Sequence, residues 1–140
     1  DWRDNLNNPN TKRGVNMGNR ILDLGQLAIT VEDVSSSIIF YRDVLGLSFL
    51  FSPSKELAFL QCGSTRLMLS TPQGAGEVGK NSIPYFRLTN INEFFDNAVT
   101  NGAELEREPQ LAAQMPDHEL WIGFLKDPDG NLVGLMEEKR

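Results

Sequence analysis

The chain has 140 residues, 40% of them hydrophobic, which is enough for one domain with its own core and too little for two ordinary ones. Asp and Glu number 19 against 13 Lys and Arg, for a net charge of −6 and a pI near 4.7. With no basic stripe, neither nucleic acid nor an anionic membrane surface is an expected partner. No apolar run reaches the roughly 20 residues of a membrane helix, and the N-terminus lacks the apolar core of a signal peptide. The single Cys62 allows no internal disulfide, so a reducing, cytoplasmic setting is expected.

Residues 1–20 are Asn-rich and without periodicity. They are expected to form a tail, with Met17 a candidate start and Trp2 able to pin the tail to the body. "LGQLAITV" (24–31) predicts a strand, headed by the polar Gln26. "EDVSSSIIFYRDVLG" predicts a helix with Asp33 as N-cap, an apolar stripe of Val34, Ile38, Tyr41 and Leu45, and Gly46 as the turn-out. Strands follow at 47–52, 56–63 and 65–72, the last two joined by a tight Gly-Ser turn. The Gly-rich segment 73–82 reads as a linker; its "GAGEVGK" lacks phosphate-loop spacing.

The pattern then restarts. A strand is predicted at 83–90 and a helix at 91–102, whose Phe94, Phe95 and Ala98 form a core face. "AELEREPQ" reads as a strand or extended edge. A hairpin ends the chain, turning at Asp127-Pro128-Asp129-Gly130. Each half runs β-α-β-β-β. "AFLQCGSTRLML" corresponds to "GFLKDPDGNLVGLM", so a duplicated module is expected, with residues 21–72 and 83–139 as its copies. The fold class is α+β: two βαβββ modules forming a curled mixed sheet around a cleft.

That duplication, with "FYRDVLGL" in the first half and "FLKDPDGN" in the second, resembles the vicinal oxygen chelate superfamily over residues 21–139. Glyoxalase I, bleomycin-resistance proteins, fosfomycin-resistance enzymes, methylmalonyl-CoA epimerase and extradiol dioxygenases share the fold. The resemblance implies four metal-ligand positions. They are a His, sometimes Gln, heading the first strand, a Glu closing the first module, a His heading the second module, and a Glu in the final strand. Carried over one at a time, they fall on Gln26, Met68, Ile83 (or its neighbour Pro84) and Gly134. A Gln amide oxygen ligates weakly, and Met, Ile and Gly offer nothing to Mg, Mn, Ni or Zn. No metal and no other cofactor is therefore expected.

Strand side chains alternate sides, so the same resemblance places the i±2 neighbours of these positions in the hollow. The candidate ligand-binding residues are Gln26, Thr30, Arg66, Met68, Tyr85, Arg87, Ile122, Phe124 and Met136. Arg66 and Arg87 are either solvated or aimed at an acidic ligand, and Tyr85 shares the fate of Arg87. His118, the only histidine, is the candidate catalytic residue, an acid, base or anchor beside Asp117 and Glu119; otherwise it is a solvated strand-start histidine. Trp121 falls on the opposite face.

Three functions follow from this lining. The first is a metal-free module that binds a small, mostly apolar organic molecule and, by the same resemblance, is a homodimer. The second is a glyoxalase-type lyase or isomerase acting through His118, for which the expected hollow supplies no Glu base. The third is a structural or regulatory partner with a filled cleft.

Overall fold

A computed structural model describes residues 20–74 and 76–140; the predicted tail, with Trp2 and Met17, lies outside them except for Arg20. The strands are β1 (Gln26–Thr30), β2 (Ser48–Ser54), β3 (Leu57–Cys62), β4 (Thr65–Ser70), β5 (Tyr85–Arg87), β6 (Glu104–Gln114), β7 (Glu119–Lys126) and β8 (Leu132–Lys139). The helices are α1 (Val34–Ile38), continued by a π-helical stretch Ile39–Val44, and α2 (Ile91–Thr100). They make two four-stranded mixed sheets, ordered β1-β4-β3-β2 and β5-β8-β7-β6. The two orders are the same order, and in each the first strand pairs parallel with the fourth while the rest pair antiparallel. The duplication expected from element order is thus present in the topology.

One face of each sheet is dry. Ile29, Ala58, Leu60, Leu67 and Leu69 of the first sheet and Leu125, Val133 and Leu135 of the second are buried, in one cluster with Val34, Phe40, Tyr41, Ile91, Phe95 and Ala98 of the helices. The alternation along each strand decides this: one set of positions goes under a helix and the other is left open.

Several local expectations change. The first helix does not stay α-helical. Its Asp33 cap holds, accepting a hydrogen bond from the Ser36 N–H at 3.2 Å, but Leu45 N–H donates five residues back to Phe40 O at 3.0 Å. The wider turn carries both Phe40 and Tyr41 into the core, edge to face at 5.0 Å, where a regular stripe would have buried Tyr41 alone. The strand expected at 83–90 shrinks to Tyr85–Arg87, because Pro84 has no N–H for the ladder. The second helix begins after a left-handed Asn90 (φ 57°) with no cap from that side chain; the Glu137 carboxylate of β8 accepts from Ile91 N–H instead, at 2.9 Å. The extended edge near residue 104 becomes the 11-residue β6.

The final turn joins the two halves. Asp127 is 3% exposed, and its carboxylate accepts from Tyr41 Oη (2.8 Å), Asn131 N (2.8 Å), Asn131 Nδ2 (2.8 Å) and Asp129 N (2.9 Å). Tyr41 belongs to the first module, so a buried hydroxyl–carboxylate bond crosses between modules. Burial first, and Asp127 next, push the Tyr41 hydroxyl far above its ordinary pKa, so it stays a donor. The linker makes a second crossing. Asn81 Oδ1 accepts from Thr30 N–H at 3.1 Å, and its amide donates to Asn131 Oδ1 at 2.9 Å.

Asp129, in the same turn, is less comfortable. Desolvation, opposed by the Glu32 N–H at 3.2 Å but aided by Asp127, Glu32 and Asp33, raises its carboxyl above 3.8, and its second oxygen is buried without a partner. Between pH 3.8 and the raised value the folded state holds more protons than the unfolded one, so this group's contribution to stability falls as pH rises through that window. Asp129→Asn is therefore expected to melt above the parent protein at pH 7. The gain should vanish below pH 3.8, where the acid is neutral in both states. Thermal melts across pH check this.

Candidate functional site

The ladder registers fix which side chains share the open faces. On the first sheet Gln26, Ala28 and Thr30 stand opposite Arg66, Met68 and Ser70, and these stand opposite Gln61, Phe59 and Leu57. On the second, Tyr85 and Arg87 stand opposite Gly134 and Met136, which face Phe124 and Ile122. The structure brings the predicted residues together in two groups, one per module. Gln26, Met68 and Arg66 are on one sheet; Tyr85, Arg87, Ile122, Phe124 and Met136 are on the other.

Within each group the contacts are specific. Gln26 Nε2 donates to Met68 Sδ at 3.7 Å, so the two side chains at the first and second ligand positions face each other. The Arg66 guanidinium lies over the Phe59 ring at 5.3 Å, and Phe59 stacks on Phe51 at 4.9 Å. Tyr85 meets Phe124 edge to face at 5.7 Å and covers Gly134: a Cβ there would lie 2.7 Å from the ring. At the fourth ligand position, then, an aromatic ring takes the space a side chain would need.

Not every expected residue lies open. Thr30 is half-buried under the linker, where Gly76, at φ 91°, packs so closely that a Cβ would meet Thr30 Oγ1. The linker was expected to be only a connector; it closes one end of the first sheet's open face. Ile83 is 42% exposed and borders a groove of about 300 Å³ between the modules, with Leu24, Leu27, Cys62, Leu67, Pro84 and Phe86. Burial raises the Cys62 thiol's pKa, which keeps it protonated and a poor nucleophile. A larger depression of about 510 Å³ lies away from the open faces, between α2 and β6.

His118 sits at the entry to β7. Its side chain is 14% exposed, and Nδ1 lies 2.8 Å from Asp117 Oδ1. It borders a shallow hollow with Gln114, Pro116, Lys139 and Arg140, and none of the other candidate residues borders that hollow. Arg140 ion-pairs with Asp117 and reaches Glu138 at 3.0 Å. Arg140 first and His118 next hold the Asp117 carboxyl below its ordinary pKa. Trp121 packs against the core, as its opposite parity predicts, with Lys139 over its ring at 4.6 Å.

One acid was missed. Glu138 lies opposite Leu120 on the open face of β8, two residues beyond Met136. Extending the same period-two count by one step finds it. The expectation of a face without Glu is corrected accordingly, although this carboxylate is engaged by Arg140.

A metal does not fit the positions the fold would use. Their side chains are an amide, a thioether and a branched alkyl group, and the fourth position has none. No group of three or more His, Cys, Asp or Glu that could hold a metal ion occurs among the described residues. No helix there is long and apolar enough to cross a membrane.

Residues 23–135 match the glyoxalase/bleomycin resistance protein/dioxygenase superfamily. The chain belongs to this superfamily. A virulence protein of Salmonella typhimurium, STM3117, is 24% identical over 121 residues, 81% of this chain and 83% of that one. Among solved structures, a lactoylglutathione lyase from Agrobacterium tumefaciens superposes with a TM-score of 0.69 at 23% identity, covering 84% of this chain and 95% of the other. TnmS3, an antibiotic-binding protein from Streptomyces, superposes at 0.66 with 17% identity, covering 85% and 98%. At these identities the superpositions show the fold alone. Of these two structural neighbours, one carries a lyase name and the other a binding name.

Proposed function

We propose that this protein binds a small, mostly apolar organic molecule on its open sheet faces without a metal ion. The observation that carries the reading is the side-chain chemistry at the four superfamily ligand positions. Gln26 is turned onto Met68, Ile83 is at the inter-module groove, and Gly134 lies under the Tyr85 ring. What replaces metal donors is aromatic and thioether surface, which suits a flat ligand held by shape and a few hydrogen bonds. The binding name of TnmS3 supports the same reading.

Exposed apolar side chains of the edge strand β2 also support a homodimer. Phe49, Leu50 and Phe51 of β2 are each between 40% and 47% exposed, apolar area that a second copy would cover. A cytoplasmic location is part of the proposal.

One observation favours a second reading, a metal-independent lyase or isomerase. The Asp117–His118 pair at 2.8 Å can hold the imidazole with Nδ1–H on the carboxylate and Nε2 free to take a proton. His118→Ala separates the two: binding persists under the first reading, and turnover is lost under the second.

The test of the main reading is binding by protein stripped with chelator. A small aromatic ligand should raise its melting temperature as much as it raises that of untreated protein. Stabilisation that returns only with added divalent metal would overturn the reading.

A further inference from the structure

We propose that the ligand of the second module's open face is an aromatic or conjugated acid, and that Arg87 holds its oxyanion group. This rests on the small-molecule reading above and goes further by naming the ligand's charge and the residue that reads it.

The chain carries a net charge of −6, so an exposed cation beside an apolar sheet face is the exception. Arg87 stands on β5 beside Met136 in register, with Tyr85 two residues before it on the same face. Its side chain is 72% exposed. Among the described residues its one carboxylate partner is Glu138, in an ion pair at 4.0 Å from Nη1, too long for a hydrogen bond. Glu138 has another partner, since Arg140 Nη2 lies 3.0 Å from its Oε2. Among the described residues the Arg87 guanidinium therefore has no hydrogen-bonded acceptor.

The other arginine of the open faces differs. Arg66 lies over the Phe59 ring, an interaction that already uses its charge. Beside Arg87 the aromatic surface is free instead: Tyr85 is 49% exposed and meets Phe124 edge to face. A neutral ligand lying on that surface would strip water from the guanidinium and give nothing back. A carboxylate or sulfonate on the ligand's edge would accept two parallel N–H bonds from it. The juxtaposition of a planar cation without a hydrogen-bonded acceptor and the exposed Tyr85 ring selects a flat acid.

Two fluorescent probes of nearly the same shape test this: anilinonaphthalene sulfonate, which is an anion, and phenylnaphthylamine, which is neutral. The wild-type protein should bind the anion at least about tenfold more tightly. Arg87→Ala should remove that preference, weakening the anion without weakening the neutral probe; Arg87→Lys should keep part of it. Arg66→Ala should leave the preference intact. Equal binding of both probes, or a preference untouched by Arg87→Ala, would overturn the acid proposal while leaving small-molecule binding standing. A preference lost in Arg66→Ala instead would move the anchor to the first module and overturn it too. Binding of neither probe would overturn this proposal together with the reading on which it rests.

Discussion

Asp127→Ala is expected to lower the free energy of unfolding by roughly 4 kcal/mol, the largest single-residue effect outside the apolar core. The carboxylate accepts four hydrogen bonds while 3% exposed, and it ties Tyr41 of the first module to the last turn of the second. Truncation leaves a buried hydroxyl and three N–H donors short of an acceptor, each worth on the order of 1–3 kcal/mol when unsatisfied, less what water entering the space restores. Tyr41→Phe, which removes one donor and leaves three, should cost about 1.5–2 kcal/mol. Urea denaturation of both variants and the double mutant checks this. The double mutant should be clearly more stable than the sum of the two losses implies, because the residues share one bond. A loss under about 1 kcal/mol in Asp127→Ala would mean that the turn does not clamp the modules.

Gly123→Ala is expected to destabilise by roughly 2–3 kcal/mol through overpacking. Gly123 is on the dry face of β7, between Ile122 and Phe124. A Cβ there would lie 2.6 Å from Phe95 Cζ, 3.0 Å from Pro109 N and 3.1 Å from Arg107 O. Phe95 is 4% exposed, and the other two are backbone of β6, so neither neighbour can give way cheaply. Gly134→Ala is the informative contrast. Its Cβ would also strike a ring, at 2.7 Å, but that ring belongs to the half-exposed Tyr85 and can swing outward. Thermal melts should show a large loss for Gly123→Ala and a small one for Gly134→Ala, which instead should change ligand binding by displacing Tyr85.

What could be read from the chain depended on the range of the interaction. Period-two alternation placed Gln26, Arg66 and Met68 on one face, and Tyr85, Arg87, Ile122, Phe124 and Met136 on another, because parity along a strand is local. The same rule, carried two residues further, reaches Glu138. The π-helical turn at Ile39–Val44 has no such signal, since the demand to bury Phe40 beside Tyr41 comes from the sheet beneath them. The Asp127 turn was legible as a turn but not as a clamp, because its partner Tyr41 lies 86 positions away. Thr30 had the right parity for an open site, yet it is covered by Gly76 of a linker whose path local patterning does not define. His118 shows the limit of counting parity past a strand's end: it precedes β7, where alternation no longer governs, and it turns to Asp117.

The most direct test of metal-free binding is calorimetric titration of chelator-treated protein with Ni, Zn, Mn and Fe(II). No stoichiometric binding of any of them is expected, because Gln26, Met68, Ile83 and Gly134 supply one weak donor among four positions. Binding of one equivalent at micromolar affinity or tighter would contradict it.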